Sequence, residues 1–470
     1  MNFSTSDSRK YAIWTFGCQM NLNDSERIAG VLESRGMIRT QDVELADIVV
    51  INTGCIRENA DNKFYGSLSR LKPIKDGRPG MQIAVGGCLA QKDREEIIRR
   101  SPYVDVLFGT HNIPRVADLL DQALSTGGHV VEILEGPDEE SPNAFQIPTV
   151  RSSLHSSWVT IQTGCNNSCS FCIVPSVRGK EVSRPMEEIK AEVTQLAKTG
   201  VTEITLLGQN VNSYGRDITK RSPLFAELLY ELGAVNGIRR IRFTSPHPKD
   251  FRLETALAMA QVPQVCEQLH LPMQSGSDHI LAKMRRGYTG QRYLEKVAMA
   301  RSAIADLALT TDIIVGFPGE TEEDFEDTLK VASQARFDGA FTFIFSARPG
   351  TRAEKMNESY VDPEVISERF ERLKIVIDRS SHQSNLVRVG KVEEVLIEGP
   401  SKKNPEYLTG RTRQNKLVHF GVDAEFACED IGGHYGSVAI ESCSPHFLRG
   451  TLVSLQTQPR NRKSLPILVG

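Results

Sequence analysis

Trp158-Val-Thr-Ile-Gln-Thr163-Gly-Cys165-Asn-Asn-Ser-Cys169-Ser-Phe-Cys172-Ile-Val-Pro175 joins a short apolar strand pattern to three cysteines on one glycine-led loop. The thiols stand at C-x3-C-x2-C spacing with no fourth cysteine nearby. Thiolate is a soft ligand suited to iron–sulfur clusters and zinc. Closed structural sites use four protein ligands, so three thiols leave one metal position open for a substrate or cofactor. Spacing alone also admits a zinc knuckle completed from a distance, or a solvent-exposed electron-transfer cluster.

Outward from this loop the strand–helix rhythm repeats. Strands are expected at Trp158–Thr163, Glu203–Leu207, Ile238–Thr244, Gln268–Met273, Thr310–Val315 and Ala340–Phe345. Helical patterns lie between them at Met186–Lys198, Pro223–Leu232, Gln291–Ala305 and Glu322–Ala335. Alternation of this kind predicts a parallel α/β sheet closing into a partial (β/α)6 barrel. The cysteine loop follows the first strand, at the face where barrel active sites lie. Upstream, Tyr11–Phe16, Asp47–Thr53 and Met81–Val85 read as strands of an N-terminal parallel α/β domain. Each is followed by a glycine and a cysteine: Cys18, Cys55 and Cys88. Strand-to-helix loops gather at the carboxyl ends of such strands, so the fold would assemble a second triad from distant positions. One cysteine at a tight turn is commonly a small buried residue; three at equivalent turns point to ligands. No G-x-G-x-x-G stands at these turns, which disfavours dinucleotide binding.

Beyond a helix expected over Val361–Asn385 come short strands at Lys391–Ile397, Glu406–Thr412, Leu417–Phe420 and Ser437–Ile440. They predict a small all-β barrel. Its Lys402, Lys403, Arg411, Arg413 and Lys416 outnumber the one acid among them, Glu406. Charge alone allows a solvated loop or a phosphate-contacting patch. The chain is expected to divide into 9–136, a linker 137–150, 151–384, 385–455 and a disordered tail 456–470.

At 470 residues, 40% hydrophobic and 24% charged, the composition is that of a multidomain globular protein. No apolar run approaches the ~20 residues of a membrane span, and the N-terminus lacks a signal-peptide core. A cytoplasmic location is expected, where nine cysteines mean metal or redox chemistry sooner than disulfides. The net charge of −3 leaves nucleic-acid binding to local patches. Cys266, Cys428 and Cys443 have no partners at ligand spacing and read as core thiols. His247, between two prolines, suits a structural turn or the barrel mouth equally. Asp312 in an apolar strand needs a partner or a function. Glu320-Thr-Glu-Glu-Asp324 reads as an acidic helix start.

The C-x3-C-x-Phe-C loop resembles the radical S-adenosylmethionine superfamily. Thr15-Phe-Gly-Cys-Gln-Met-Asn21, Ser245-Pro-His-Pro248, Leu271-Pro-Met-Gln-Ser-Gly-Ser277, Arg286-Gly-Tyr-Thr289 and Thr311-Asp-Ile-Ile-Val-Gly-Phe-Pro-Gly-Glu320 are similar to its methylthiotransferase family. The likeness extends from residue 11 to about 455. It implies a 4Fe–4S cluster on Cys165, Cys169 and Cys172 that cleaves S-adenosylmethionine to a radical. Phe171, Gly208, Gln209, Asn210, Ser245, Gln274 and Asp312 would contact that cofactor. A second 4Fe–4S cluster on Cys18, Cys55 and Cys88 would supply sulfur, methylated by a second S-adenosylmethionine. Gly410–Phe420 resembles the TRAM RNA-binding domain and turns the basic patch toward RNA. The implied substrate is N6-isopentenyladenosine at position 37 of tRNA, converted to its 2-methylthio form. A threonylcarbamoyl-type adenosine or a ribosomal-protein aspartate is the alternative. Implied partners are tRNA and an electron donor such as flavodoxin or ferredoxin, with the chain acting as a monomer.

One departure stands out. The family writes its second turn Asn-Thr-Cys-x-Ile/Val-Arg-Glu, whereas this chain has Asn52-Thr53-Gly54-Cys55-Ile56-Arg57-Glu58. A one-residue shift turns a side chain by ~100° on a helix, or to the other face of a strand.

Overall fold

Ile48–Thr53 is buried along its whole length, and its side chains alternate between two cores. Ile48 and Val50 pack with Ile28, Leu32 and Leu120, while Val49 and Ile51 pack with Phe64, Leu68 and Leu71. A strand buried on both faces is the mark of a doubly covered parallel sheet. The computed structural model describes residues 8–54, 58–136, 147–422 and 431–456. Cys55, Cys428, residues 137–146 of the expected linker and the expected tail past Gln456 lie outside the described residues.

The N-terminal sheet comprises β1 (Lys10–Phe16), β2 (Ile38–Arg39), β3 (Ile48–Thr53), β4 (Gln82–Gly87), β5 (Val106–Phe108) and β6 (Val130–Glu132). Its order is β2-β1-β3-β4-β5-β6, every pair parallel. The order reverses between β1 and β3, and ligands bind outside the strand carboxyl ends at such a switch point. Cys18 follows β1 and Cys88 follows β4, on the same edge as the end of β3.

The central unit holds β7 (Ser156–Thr160), β8 (Gln162–Thr163), β9 (Val182–Ser183), β10 (Glu203–Leu207), β11 (Arg240–Phe243), β12 (Gln268–His270), β13 (Ala308–Val315) and β14 (Gly339–Ile344). β7, β10 and β11 form one parallel run and β12, β13 and β14 another. The bridge Ile241↔Val265 joins the two into a six-stranded arc around a single apolar core. This is the expected partial barrel. The antiparallel pair β8–β9 clamps the two ends of the cysteine loop.

The long helix spans Pro363–Leu386, close to the expected range. Ile366, Arg369, Leu373, Ile377, Ser381 and Asn385 form its buried stripe, at helical spacing. It leads into a closed barrel of β15 (Val392–Pro400), β16 (Leu408–Thr412), β17 (Leu417–Gly421), β18 (Tyr435–Cys443) and β19 (Leu448–Gln456), ordered β15-β16-β17-β19-β18. Four of these strands were expected; β19 closes the barrel, because it alone pairs with both β17 and β18. Its signal was present, as Leu448, Gly450 and Leu452 alternate inward. Among the described residues no helix is long and apolar enough to cross a membrane.

Candidate functional site

Gly164 opens the cysteine loop at φ +70°, and a Cβ there would lie 2.0 Å from the Lys180 carbonyl oxygen. Only glycine fits a left-handed residue against backbone so close. The residues between the cysteines pin the loop. Asn166 Oδ1 accepts from the Glu181 amide at 3.1 Å, and Asn167 Oδ1 from Lys249 Nζ at 2.9 Å. The Ser170 amide and hydroxyl donate to the carbonyls of Met284 and Lys283. Phe171 turns inward and meets Phe317 edge-to-face, with ring centroids 6.5 Å apart.

Burial pushes the Cys172 thiol up to about 12, with Cys169 and Cys165 adding to the rise. Burial also raises Cys165 against hydrogen bonding from Asn167, with Cys169 adding to the rise. Both thiols are thus held neutral in the free protein, and binding the three together as thiolates would call for a metal cation among them. Among the described residues no three His, Cys, Asp or Glu side chains close on a single ion. A cluster binds each thiolate to a different iron, so its ligands stand farther apart. The soft donor set fits such a cluster.

The carboxyl ends of β10 to β13 supply the expected cofactor residues. Asn210 is buried, and its Nδ2 donates to Asp250 Oδ2 at 2.8 Å while its Oδ1 has no hydrogen-bond partner. Gln162 is alike: Nε2 donates to the Asn210 carbonyl at 2.9 Å, and Oε1 is orphaned. Two buried acceptors without donors suit an ammonium group. Gly208 lies between, where a Cβ would come within 2.8 Å of Gln162 Cγ; Gln209 is half-buried in the same turn. Ser245 and Gln274 have φ of +59° and +67°, a region non-glycine residues rarely occupy and one that collects at functional sites. The Gln274 amide donates to the Asp312 carbonyl at 2.8 Å. Asp312 Oδ1 lies 3.5 Å from His270 Nε2, which gives the strand acid a partner.

Cys18 and Cys88, the described N-terminal cysteines, come to the same boundary. Cys18 sits at the start of helix Gln19–Ser34, and its Sγ lies 3.4 Å from Asn21 Oδ1. Gly17 and Gly54 pack glycine to glycine, since a Cβ on Gly54 would lie 2.8 Å from Gly17 Cα. Cys88 begins helix Cys88–Asp93 and is buried against Ile173 and Val177, which adjoin Cys172. Arg178 of the central unit is buried in an ion pair with Asp24 at 2.7 Å. Burial opposes its charge, but Asp24, Cys88 and Cys18 hold it charged. The described members of the two cysteine sets thus share a buried boundary, fastened further by Thr160 Oγ1 on Asn23 and Thr110 Oγ1 on the Val177 carbonyl.

Sequence reasoning missed several residues here: Asn166, Asn167, Ser170, Arg178, Asp24 and Arg286. Asn166, Asn167, Ser170 and Arg286 lie in stretches that the sequence singles out, but the partners that give all six their roles are distant in the chain, so no local pattern could assign those roles. Glu320 corrects an expectation. The helix starts at Glu322, capped by Thr321, whereas Glu320 is buried, accepting from the Gly316 amide at 2.8 Å and Arg369 Nη1 at 3.2 Å. Burial raises its carboxyl to about 7. His247 is a buried turn residue, its Nδ1 accepting from the Lys249 amide at 3.1 Å. Cys266 is a core thiol as expected, and Cys443 is half-buried.

The basic patch divides. Lys402 and Lys403 are exposed and Arg411 is half-exposed. Arg413 instead pairs with Glu267 at 2.7 Å and donates to the Pro263 and Val265 carbonyls. Lys416 is buried on Asp338 at 2.8 Å and Asn385 Oδ1 at 2.7 Å. These two cations dock the β-barrel onto the central unit and are not offered to phosphate. A residue absent from the expected patch, Arg449, is exposed over the Phe447 ring, and His419 pairs with it across β17 and β19.

The radical SAM superfamily model matches residues 159–332, and that of uncharacterized protein family UPF0004 matches residues 10–109. A tRNA-2-methylthio-N(6)-dimethylallyladenosine synthase of Acidothermus cellulolyticus is 51% identical, over 94% of this chain and 87% of its own. The chain belongs to that synthase family. The Thermobifida fusca synthase is 50% identical, over 94% of this chain and 89% of its own. Among solved structures, the radical S-adenosylmethionine methyltransferase TsrM of Kitasatospora setae, with cobalamin and a 4Fe–4S cluster bound, shares the fold. Its TM-score is 0.53 at 13% identity, covering 74% of each chain. The radical SAM family match implies S-adenosylmethionine and a 4Fe–4S cluster.

Proposed function

We propose that this chain converts N6-isopentenyladenosine at position 37 of tRNA to 2-methylthio-N6-isopentenyladenosine. The observation that supports the reading is the contact of Cys88 with Ile173 and Val177, beside the cysteine loop. A 4Fe–4S cluster with S-adenosylmethionine would supply radical chemistry at a carbon–hydrogen bond, and a second cluster would be the source of sulfur. Cys165, Cys169 and Cys172 hold the first, and Cys18, Cys55 and Cys88 the second. Asn210 and Gln162 would accept from the cofactor's ammonium group on their orphaned oxygens, and Phe171 would line the adenine side of the site. Ser245 and Gln274, on left-handed backbone past the strand ends, would contact the cofactor together with Asp312, whose carbonyl accepts from the Gln274 amide. Residues 9–136, 151–384 and 385–455 act as auxiliary-cluster, radical and RNA-binding domains. Lys402, Lys403 and Arg411, joined by Arg449 and His419, meet the RNA backbone. The reading brings with it a flavodoxin- or ferredoxin-type electron donor and a monomer working in the cytoplasm.

Anaerobic reconstitution is expected to load about eight iron atoms per chain, two four-iron clusters. A Cys165, Cys169 and Cys172 triple-alanine variant should lose roughly half of that iron and all activity; unchanged iron would refute the assignment. Nucleoside mass spectrometry of tRNA from a deletion strain should show 2-methylthio-isopentenyladenosine replaced by its unthiolated precursor. Retention of the methylthio nucleoside would instead favour a threonylcarbamoyl-type adenosine or a ribosomal-protein aspartate as substrate.

A further inference from the structure

Arg286 lies in the Arg286-Gly-Tyr-Thr289 segment and is only 6% exposed. Among the described residues, six other buried guanidinium groups face carboxylates. Arg178 has Asp24, Arg184 has Glu192, Arg240 has Glu394, Arg242 has Glu203, Arg369 has Glu320 and Arg388 has Glu393. Among the described residues no carboxylate lies within ion-pair distance of Arg286. Its donors go to three other places. Nε donates to the Tyr288 hydroxyl at 3.1 Å, Nη2 to the Pro272 carbonyl at 3.3 Å, and Nη1 to Cys169 Sγ at 3.4 Å.

A buried cation is costly unless an anion answers it. The phenol and the carbonyl are neutral, and neighbouring His247 is held neutral by burial and by Arg286 itself. The one partner that can carry negative charge is the sulfur of Cys169. We propose that Arg286 is the built-in counter-charge of the cluster on Cys165, Cys169 and Cys172, and that through Cys169 Sγ it raises the reduction potential of that cluster. This rests on the cluster assignment made above. The Tyr288 hydroxyl, held on the Met273 carbonyl at 2.9 Å, fixes the guanidinium so that one edge faces the sulfur. Hydrogen bonds and positive charge at cluster sulfurs favour the reduced, more negative state. Arg286 is therefore a positioning residue that acts through a ligand.

The test uses the full chain with Cys18, Cys55 and Cys88 replaced by alanine, so that one cluster remains. Iron content and the midpoint potential from a redox titration followed by electron paramagnetic resonance are compared among this parent, Arg286→Gln and Arg286→Lys. Arg286→Gln should lower the potential so that the reduced fraction at a fixed potential falls at least tenfold, a shift of about 59 mV for one electron. Arg286→Lys, which keeps the charge, should recover most of it. Loss of iron from the glutamine variant but not the lysine variant would also support the counter-charge. An unchanged potential in Arg286→Gln with iron retained overturns the inference. So does equal loss of iron or of folding in both variants, since packing and not charge would then be the cause. A parent that holds no four-iron cluster would overturn the cluster assignment itself, a separate result.

Discussion

Asp324 shows how single residues are tuned around the barrel mouth. Burial opposes its charge, but hydrogen bonds from Ser277, Thr321 and His279 outweigh it and hold the carboxyl at about 2. The folded value lies below the ordinary 3.8. The stabilisation is therefore complete above that ordinary value and is lost as pH falls through about 2. About two units correspond to about 2–3 kcal/mol. Asp324→Asn should cost about 2 kcal/mol in urea unfolding at pH 5, and the gap from the parent should narrow toward pH 3. A gap independent of pH would assign the loss to packing. Gln162 and Asn210 make a matching case for function. Their orphaned oxygens leave a cost of about 1–3 kcal/mol each until a donor arrives. Replacing Asn210 with alanine should weaken S-adenosylmethionine binding by roughly 1–2 kcal/mol, about 5–30-fold, read by equilibrium binding to the reconstituted protein.

Helix Gln19–Ser34 shows how an element is shaped by what it touches. Asn23, Asp24 and Glu26 are buried although polar, because they fasten the helix to Thr160, Arg178 and Ser152 of the central unit. On another turn Gly30 rests on the chain at Pro148, where a Cβ would lie 1.9 Å from the carbonyl oxygen. Helix propensity alone predicts that Gly30→Ala stabilises by about 1 kcal/mol. The clash with backbone reverses the sign, and a net loss of about 1–3 kcal/mol is expected. A rise in melting temperature would mean the Pro148 segment can move aside. The strands were easier to read than this helix, since the continuous apolar run of β3 and the alternating burial at the start of β10 are local patterns. The helix's buried polar residues make sense only once its neighbours are in place.

Across the whole molecule the β-barrel sits against the amino ends of the central strands, away from the cysteine loop. Arg240 and Arg242 open and line β11, and their guanidinium groups donate to the Arg411, Thr412 and Arg413 carbonyls. Lys416 reaches Asp338, just before β14, and Tyr435 reaches Thr202, just before β10. Leaving Asp338 buried without its cation should cost about 3–5 kcal/mol in Lys416→Met, seen in chemical unfolding. Arg449→Ala should instead leave stability intact and reduce the slope of log affinity for tRNA against log salt by about one unit. Equal salt slopes for Arg449→Ala and the parent would move the RNA surface elsewhere.

By itself the sequence determined the fold class, the order of its α/β and all-β parts, and the presence of three soft donors within one loop. Those follow from short-range quantities: strand alternation, glycine at turns, and cysteine spacing. Only the tertiary structure decided which charges are free. Arg413 and Lys416 look like Lys402 and Lys403 in a string of residues, yet each has an acid from the central unit against it. Arg286 is the converse, a buried cation with a cysteine sulfur where a carboxylate would be expected. The reason is physical: charge and residue type are local properties, whereas burial and counter-ions are supplied by segments far away in the chain.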